Sequence, residues 1–315
     1  MKKIKIGLAG LGYFGNFHLN NLLETPFIVK GIYDVDPARA QYMGEKYGVT
    51  VYDDLDKLIN EVDALDITAP TIYHFELIKK AVEKGRHVFV EKPMTSTLKE
   101  AEEIVALVKH KGVKLQVGHI ERFNPVIAVL EGLEDEIIKI EANRMSIYNP
   151  RGTDVSVVFD LMIHDIDLVL NMVNAGIKDI RALGFDKYSD NPDFATAWVQ
   201  FDNGVSAHLN ASILHPFTER TMKIWTKTKY IELDLAAKDA MIYEYMENPD
   251  ENNDIFGNKK NIKKAASNSI LDELNQFYLS IAENTKPVVD VEAGYKAIEL
   301  AEKIENIIQN NNESF

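Results

Sequence analysis

The chain has no cysteine among its 315 residues. That excludes disulfides, thiolate metal sites and cysteine nucleophiles, and it suits a reducing, cytoplasmic setting. No apolar run approaches the roughly 20 residues that a membrane helix needs. The start, Met1-Lys2-Lys3-Ile4-Lys5, leads straight into an apolar stretch and a glycine loop. It has neither the apolar core nor the small-residue cleavage site of a secretory signal. Positive charge is scarce: 35 Lys and Arg stand against 49 Asp and Glu, a net charge of -14. Proteins that grip nucleic acid by its phosphates normally show the opposite balance, so neither nucleic acid nor membrane is an expected partner. An anionic small molecule must then be held locally, by helix N-termini and a few basic side chains.

Hydrophobic residues make up 46% of the chain, enough for a sizeable core, and the length suggests two domains. No internal repeat is visible. Up to residue 120, apolar stretches alternate with amphipathic ones. Strands are expected over Lys3-Ala9, Phe27-Tyr33, Ala64-Thr68, His87-Val90 and Val113-Gly118. Helices are expected over Asn16-Leu23, Ala38-Tyr47, Asp54-Asn60 (with Asp53 as N-cap), Tyr73-Lys84 and Thr97-Lys111. Thr97-Leu98-Lys99-Glu100 is a capping box and Gly85 a helix stop. Such alternation predicts right-handed crossovers and a doubly wound parallel sheet, an α/β domain over residues 1–120.

From residue 121 to 315 the texture changes to longer alternating strands, among them Ile137-Arg144, Ala195-Phe201 and Val205-Ala211. Asp202-Asn203-Gly204 is a hairpin signal between the last two. Thr221-Thr226, Lys229-Leu235 and Ala240-Tyr245 continue a mostly antiparallel open sheet, an α+β domain. Asn248-Asn261 reads as a polar loop. Ser269-Glu283 and Val291-Gln309 read as closing helices, the last of them free to pack back on the first domain, with a frayed tail from Asn310. An open sheet face must be covered, which predicts a homodimer or homotetramer.

Gly10-x-Gly12-x-x-Gly15 falls between a strand and a helix, the context a dinucleotide loop requires. Gly10 allows the turn, Gly12 lets a pyrophosphate near the backbone at Tyr13 and Phe14, and Gly15 lets helix and strand pack closely. Asp34 closes the second strand, where a carboxylate binds ribose hydroxyls and repels a 2′-phosphate. That favours NAD over NADP, although Arg39 lies near enough to hold a 2′-phosphate. Thr68-Ala69-Pro70 ends a third strand at the carboxyl edge, and His74 follows it. His74 is either a cofactor contact or a buried helix-start histidine.

Glu91-Lys92-Pro93 ends a fourth strand, and Pro93 holds Lys92 in extended backbone. Glu91 and Lys92 are therefore candidates beside the cofactor ring. Gly118-His119-Ile120-Glu121-Arg122-Phe123-Asn124-Pro125 gathers polar groups at the domain boundary, with Arg122 and Asn124 as substrate candidates. Arg122 could hold a phosphate or serve a salt bridge. Asp160-Leu161-Met162-Ile163-His164-Asp165 places Asp160 and His164 four apart, on one face of a helix. A carboxylate beside a histidine orients the ring and raises its basicity, which suits proton abstraction from a hydroxyl. No second histidine stands at ligand spacing, so no metal is expected. The remaining histidines carry no spacing signal and read as structural.

Glycine loop, Glu-Lys-Pro and Asp-x-x-x-His, in that order, resemble the Gfo/Idh/MocA oxidoreductases over nearly the whole chain. The Asp202-Asn203-Gly204 hairpin and Lys286-Pro287-Val288-Val289-Asp290 extend the likeness. The resemblance implies a Rossmann domain, then an α/β domain whose open sheet forms a dimer interface. By position, Lys92, Asp160 and His164 match the catalytic lysine, aspartate and histidine of the family. Lys92 and His164 would also touch substrate, and which of them is the base stays open. Many relatives carry glycines just before the aspartate, whereas this chain has Val155-Ser156-Val157-Val158-Phe159. Gly-His-Ile-Glu-Arg-Phe-Asn-Pro combined with Asp-Val-Ser-Val-Val-Phe-Asp-Leu-Met-Ile-His-Asp, residues 154–165, is most similar to the branch that oxidises the 3-hydroxyl of UDP-N-acetylglucosamine. The implied activity is an NAD-dependent dehydrogenase of a sugar or nucleotide sugar. Oxidation of a free polyol such as an inositol, and a non-catalytic NAD-binding regulator, are the alternatives.

Overall fold

The structure is a computed structural model, and it describes residues 2–133, 137–149, 155–264 and 267–312. The chain forms two compact units, one of residues 1–123 and 268–298, the other of 124–267 and 299–315. The first therefore takes in 268–298, which the sequence pattern places with the second domain.

In the first unit, β1 (Lys5–Ala9), β2 (Ile28–Tyr33), β3 (Ala64–Ile67), β4 (His87–Glu91) and β5 (Leu115–Gly118) form a parallel sheet in the order β2-β1-β3-β4-β5. Val51 pairs with Ile32 in a single parallel bridge beyond β2. Counted as a vestigial strand, it completes the 3-2-1-4-5-6 order of dinucleotide-binding sheets. The order reverses between β1 and β3, so the crevice lies at their carboxyl ends. The helices are α1 (Tyr13–Leu22), α2 (Pro37–Tyr47), α3 (Leu55–Glu61), α4 (His74–Glu83) and α5 (Leu98–Lys111). Helices on both faces explain why Val88, Phe89 and Val90 are all buried in one strand. The core joins Ile6, Leu8, Leu19, Leu22 and Phe89 to Leu274 and Phe277. The last two come from α7 (Ser269–Ala282). A change such as Phe277→Ala would cost about 3–5 kcal/mol.

The Thr97 capping box is complete, its hydroxyl accepting from the Glu100 N–H while the Glu100 carboxylate accepts from the Thr97 N–H. Two expected boundaries shift. Asp54 rather than Asp53 caps α3, accepting from the Asp56 N–H at 2.7 Å. α1 begins at Tyr13, because Gly12 itself is the N-cap and the loop runs directly into the helix.

The second unit is built on β6 (Ile137–Met145), α6 (Ile163–Val173), β7 (Ile177–Phe185), β8 (Phe194–Phe201), β9 (Ser206–Ser212), β10 (Glu219–Thr226), β11 (Lys229–Asp234), β12 (Asp239–Tyr245) and β13 (Phe256–Lys263). The sheet order is β13-β12-β11-β10-β6-β9-β8-β7, antiparallel throughout except for the parallel β6/β9 pair. Ala195, Ala197, Val199 and Phe201 of β8 face inward with Ala207, Leu209 and Ala211 of β9. At the hairpin between them, Gly204 takes φ +90° and its N–H reaches the Phe201 carbonyl at 3.0 Å.

Two strands escaped the sequence pattern. β13 lies where a loop was expected, and β7 was not foreseen. Both are outer edges of the sheet and mostly exposed, so they lack the apolar alternation that marks a half-buried strand. α8 (Val291–Asn312) runs into the residues expected to be a frayed tail, of which 313–315 lie outside the described residues, as does Asp154 at the start of the run 154–165. No helix among the described residues is long and apolar enough to cross a membrane.

Candidate active site

The glycine loop joins β1 to α1 at the crevice. A Cβ on Gly10, whose φ is +97°, would stand 2.5 Å from the Ala69 nitrogen. On Gly15 it would stand 2.2 Å from the Gly10 carbonyl oxygen. On Gly12 it would meet nothing within 4 Å. Two glycines are thus fixed by protein packing, and the third opens onto empty space at the N-terminus of α1. Free helix N–H groups facing an open approach suit a pyrophosphate.

A cleft of about 640 Å³ opens there, lined by the loop, by Tyr33, Asp34, Val35 and Arg39, and by Thr68, Ala69, Pro70 and Tyr73. Asp34 ends β2 with 9% exposure. Its carboxylate accepts from the Leu11 N–H at 2.6 Å and the Asp36 N–H at 2.8 Å. Arg39 stands 3.8 Å from Asp34 and 3.6 Å from Asp36, so two carboxylates offset its charge. That is a weak site for a 2′-phosphate and a good one for ribose hydroxyls. Thr68 donates its hydroxyl to the Gly10 carbonyl at 2.6 Å, bracing the loop from the third strand. The residues present fit a dinucleotide.

His74 is buried, with Nδ1 2.9 Å from the Pro93 carbonyl and Nε2 2.8 Å from the Ala69 carbonyl. Burial holds it below the usual histidine range. It ties the Thr68-Ala69-Pro70 turn to the turn after Lys92. The Lys92–Pro93 peptide is cis.

Glu91 brings in groups that no motif marked. Its Oε1 lies 2.8 Å from His18 Nε2, and its Oε2 accepts from the Lys92 N–H at 3.3 Å. His18 Nδ1 lies 2.9 Å from Asp66 Oδ2. His18, Asp66 and the neighbouring Glu273 of α7 are fully buried. Burial would raise the Glu91 acid, but its hydrogen bond to His18 and the charges of His18 and Lys92 take it below the ordinary range. Burial pushes Glu273 well up. The one sequence signal was His18 on the same helix face as Gly15, Leu19 and Leu22, a polar residue in an apolar stripe.

Lys92 thus belongs to the first unit, whereas Asn124, Asp160 and His164 belong to the second. Arg122 sits in a short 3-10 turn, Ile120–Phe123, at the end of the first. Asn124 is buried, donating to the Leu235 carbonyl at 2.8 Å and capping the next turn through the Val126 N–H. Asp160 lies in a π turn, Val158–Met162, that leads into α6. The straight helix expected across Asp160 and His164 is therefore widened by a turn type that recurs at functional sites. Both side chains are half-buried. The next residue, Asp165, is buried in a bidentate pair with Arg144 of β6, at 2.9 and 2.8 Å.

A glycine cradle, an acid ending the second strand and a crevice where the strand order reverses define a Rossmann dinucleotide-binding unit. Comparison with known proteins narrows the class. Residues 4–119 match the oxidoreductase family model with an NAD-binding Rossmann fold, and 139–232 match the Gfo/Idh/MocA C-terminal domain. The chain is 32% identical over 244 residues to UDP-N-acetylglucosamine 3-dehydrogenase of Acidithiobacillus ferrooxidans, covering 77% of this chain and 78% of that protein. A crystal structure of that relative superposes with a TM-score of 0.91 at 28% identity, covering 98% and 99% of the two chains. The scyllo-inositol 2-dehydrogenase (NAD(+)) of Bacillus subtilis is 28% identical over 242 residues, 68% and 69% of the chains. The chain belongs to the Gfo/Idh/MocA oxidoreductase family. It is a dehydrogenase acting on CH–OH groups, and its cofactor is NAD.

Proposed function

We propose that this enzyme oxidises a ring hydroxyl of a nucleotide-activated amino sugar, the 3-hydroxyl of UDP-N-acetylglucosamine or a close analogue. One observation carries the reading: the likeness to a UDP-N-acetylglucosamine 3-dehydrogenase extends over most of the sequence and, in fold, over nearly the whole chain. When bound, NAD would supply the hydride acceptor for the sugar carbon. Gly10, Gly12 and Gly15 would hold its pyrophosphate with Tyr13 and Phe14 beside it, and Asp34 would take its ribose. Thr68, Pro70 and His74 shape the edge of its cleft, and Glu91 and Lys92 end the strand beside it.

Lys92, Asp160 and His164 handle the proton. His164 takes it from the hydroxyl, which makes loss of hydride from the same carbon favourable. Lys92 hydrogen-bonds that oxygen and shares the transfer, and Asp160 orients His164 or the sugar. Arg122 recognises the substrate's phosphates. Asn124 shapes the substrate pocket through the backbone it holds. The protein works in the cytoplasm as a homodimer or homotetramer. Leu183, Phe185 and Trp198, exposed on β7 and β8, support a self-contact through the open sheet.

The deciding assay follows NADH absorbance with NAD and, in parallel, UDP-N-acetylglucosamine, free N-acetylglucosamine and myo-inositol. Turnover confined to the UDP-sugar is the expected result. Turnover with inositol alone would move the enzyme to the polyol branch, which the inositol dehydrogenase relatives keep in view. NAD binding with no turnover of any sugar would point to a regulator.

A further inference from the structure

Four side chains from four elements meet under the strand end that carries Lys92: His18 of α1, Asp66 of β3, Glu91 of β4 and Glu273 of α7. His18 has an acid at each ring nitrogen, Asp66 at 2.9 Å and Glu91 at 2.8 Å. A carboxylate only accepts, so the ring satisfies both by carrying two protons. Burial by itself would lower the basicity of His18, but the charges and hydrogen bonds of Asp66 and Glu91 more than reverse this. Burial lifts Asp66 too, with the charge and hydrogen bond of His18 opposing it.

Glu273 has both carboxyl oxygens buried with no hydrogen-bond partner. It lies close enough for one of its oxygens, a His18 nitrogen and a Glu91 oxygen to fall within 4.8 Å of one another. A bare carboxylate there would cost several kcal/mol in desolvation, so Glu273 is a neutral acid. His18 is then the cation that the Asp66 and Glu91 carboxyls face inside the cluster. Glu91 is also boxed in. A Cβ on Gly118 would stand 2.9 Å from its Oε1, so the glycine at the end of β5 lets the carboxylate lie where it does without shifting.

We propose that His18 is a positioning residue for Lys92: anchored on Asp66, it clamps the Glu91 carboxylate, and the clamped carboxylate sets the backbone and the electrostatic surroundings of the lysine. The inference rests on the catalytic role assigned to Lys92 above. A protein that needed only packing at this point would place an apolar residue on α1, in line with Leu19 and Leu22.

The experiment pairs His18→Gln, which removes the positive ring but can still donate to Glu91, with His18→Asn, which is too short to reach it, and with Glu91→Gln. Thermal unfolding and NAD titration by protein fluorescence establish that each variant folds and binds cofactor. Kinetics use whichever sugar the wild type turns over. His18→Asn should lower kcat about 10- to 100-fold with KM and NAD affinity nearly unchanged, and His18→Gln should recover part of it. The second readout needs no substrate. Lysines are dimethylated with 13C-formaldehyde, and the Lys92 resonance, assigned by its loss in Lys92→Ala, is titrated by NMR. Its apparent pKa should rise in His18→Gln, where Asp66, Glu91 and Glu273 lose their cation, and fall in Glu91→Gln. A folded pair of variants with an unmoved Lys92 titration would overturn the proposal. So would one equivalent of a divalent metal in the purified protein, since His18, Glu91 and Glu273 would then be ligands. Shifted titrations in an enzyme that turns over no sugar would leave the clamp standing and discard the proposed function.

Discussion

The two units bury charge in opposite ways. In the second, Arg144 and Asp165 meet as a bidentate pair, both almost completely buried. In the first, one histidine faces three acids, and neutrality depends on where the protons sit. A bidentate arginine–carboxylate pair fixes two elements in one geometry and serves architecture. An unmatched cluster can tune a neighbour, and its neighbour is Lys92. Perturbed groups gather at functional sites for this reason, although structural networks can perturb them too.

The largest expected effect tests what the cluster serves. Lys92→Ala should lower kcat by about 100- to 10,000-fold while NAD affinity, by fluorescence titration, stays nearly intact. Loss of NAD binding in that variant would remove the catalytic role. Next comes the contrast itself. Asp165→Ala strips Arg144 of its bidentate partner and should cost about 3–5 kcal/mol in denaturant unfolding. Glu273→Gln replaces a neutral acid by a neutral amide of the same shape and should cost less than about 1 kcal/mol. Equal costs would break the comparison.

Asp34→Ala should weaken NAD binding by about 1.5–3 kcal/mol and narrow the gap to NADP, measured by titration with each cofactor. An unchanged NAD-to-NADP ratio would show that Asp34 only braces the Leu11 and Asp36 amides.

The smallest effect concerns pH. His18 is held above its ordinary value of 6.5 and Glu273 above 4.5. Both are raised in the folded state, so their contribution to stability is complete below those ordinary values. It is lost as pH rises through the folded ones. The wild type should therefore lose stability as pH climbs above 6.5, and His18→Gln should flatten that part of the profile. Parallel profiles would mean that His18 does not titrate there.

The cofactor half of the site was legible because its signals are local. Gly10, Gly12, Gly15 and Asp34 stand at fixed offsets along one β-α-β run, and the backbone demands them. The Thr97 box and the Asn203-Gly204 turn were legible for the same reason. β7 and β13 were not, since an edge strand buries too little to leave a period of two. The clamp was harder still: residues 18, 66, 91 and 273 share no spacing, and only the sheet order brings them together.

The sequence by itself determined the parallel and antiparallel halves, the dinucleotide loop, the NAD-favouring acid and the order of motifs that marks the family. Each follows from short-range sterics and hydrophobic periodicity, which act within a few residues. Tertiary structure alone decided that α7 returns to the first unit and that a π turn carries Asp160. It also decided that Arg39 leans on Asp34 and Asp36, and that His74 and His18 brace the turns and strand end around Lys92. Those outcomes depend on burial and on charges brought together from distant segments, and no window of sequence contains them.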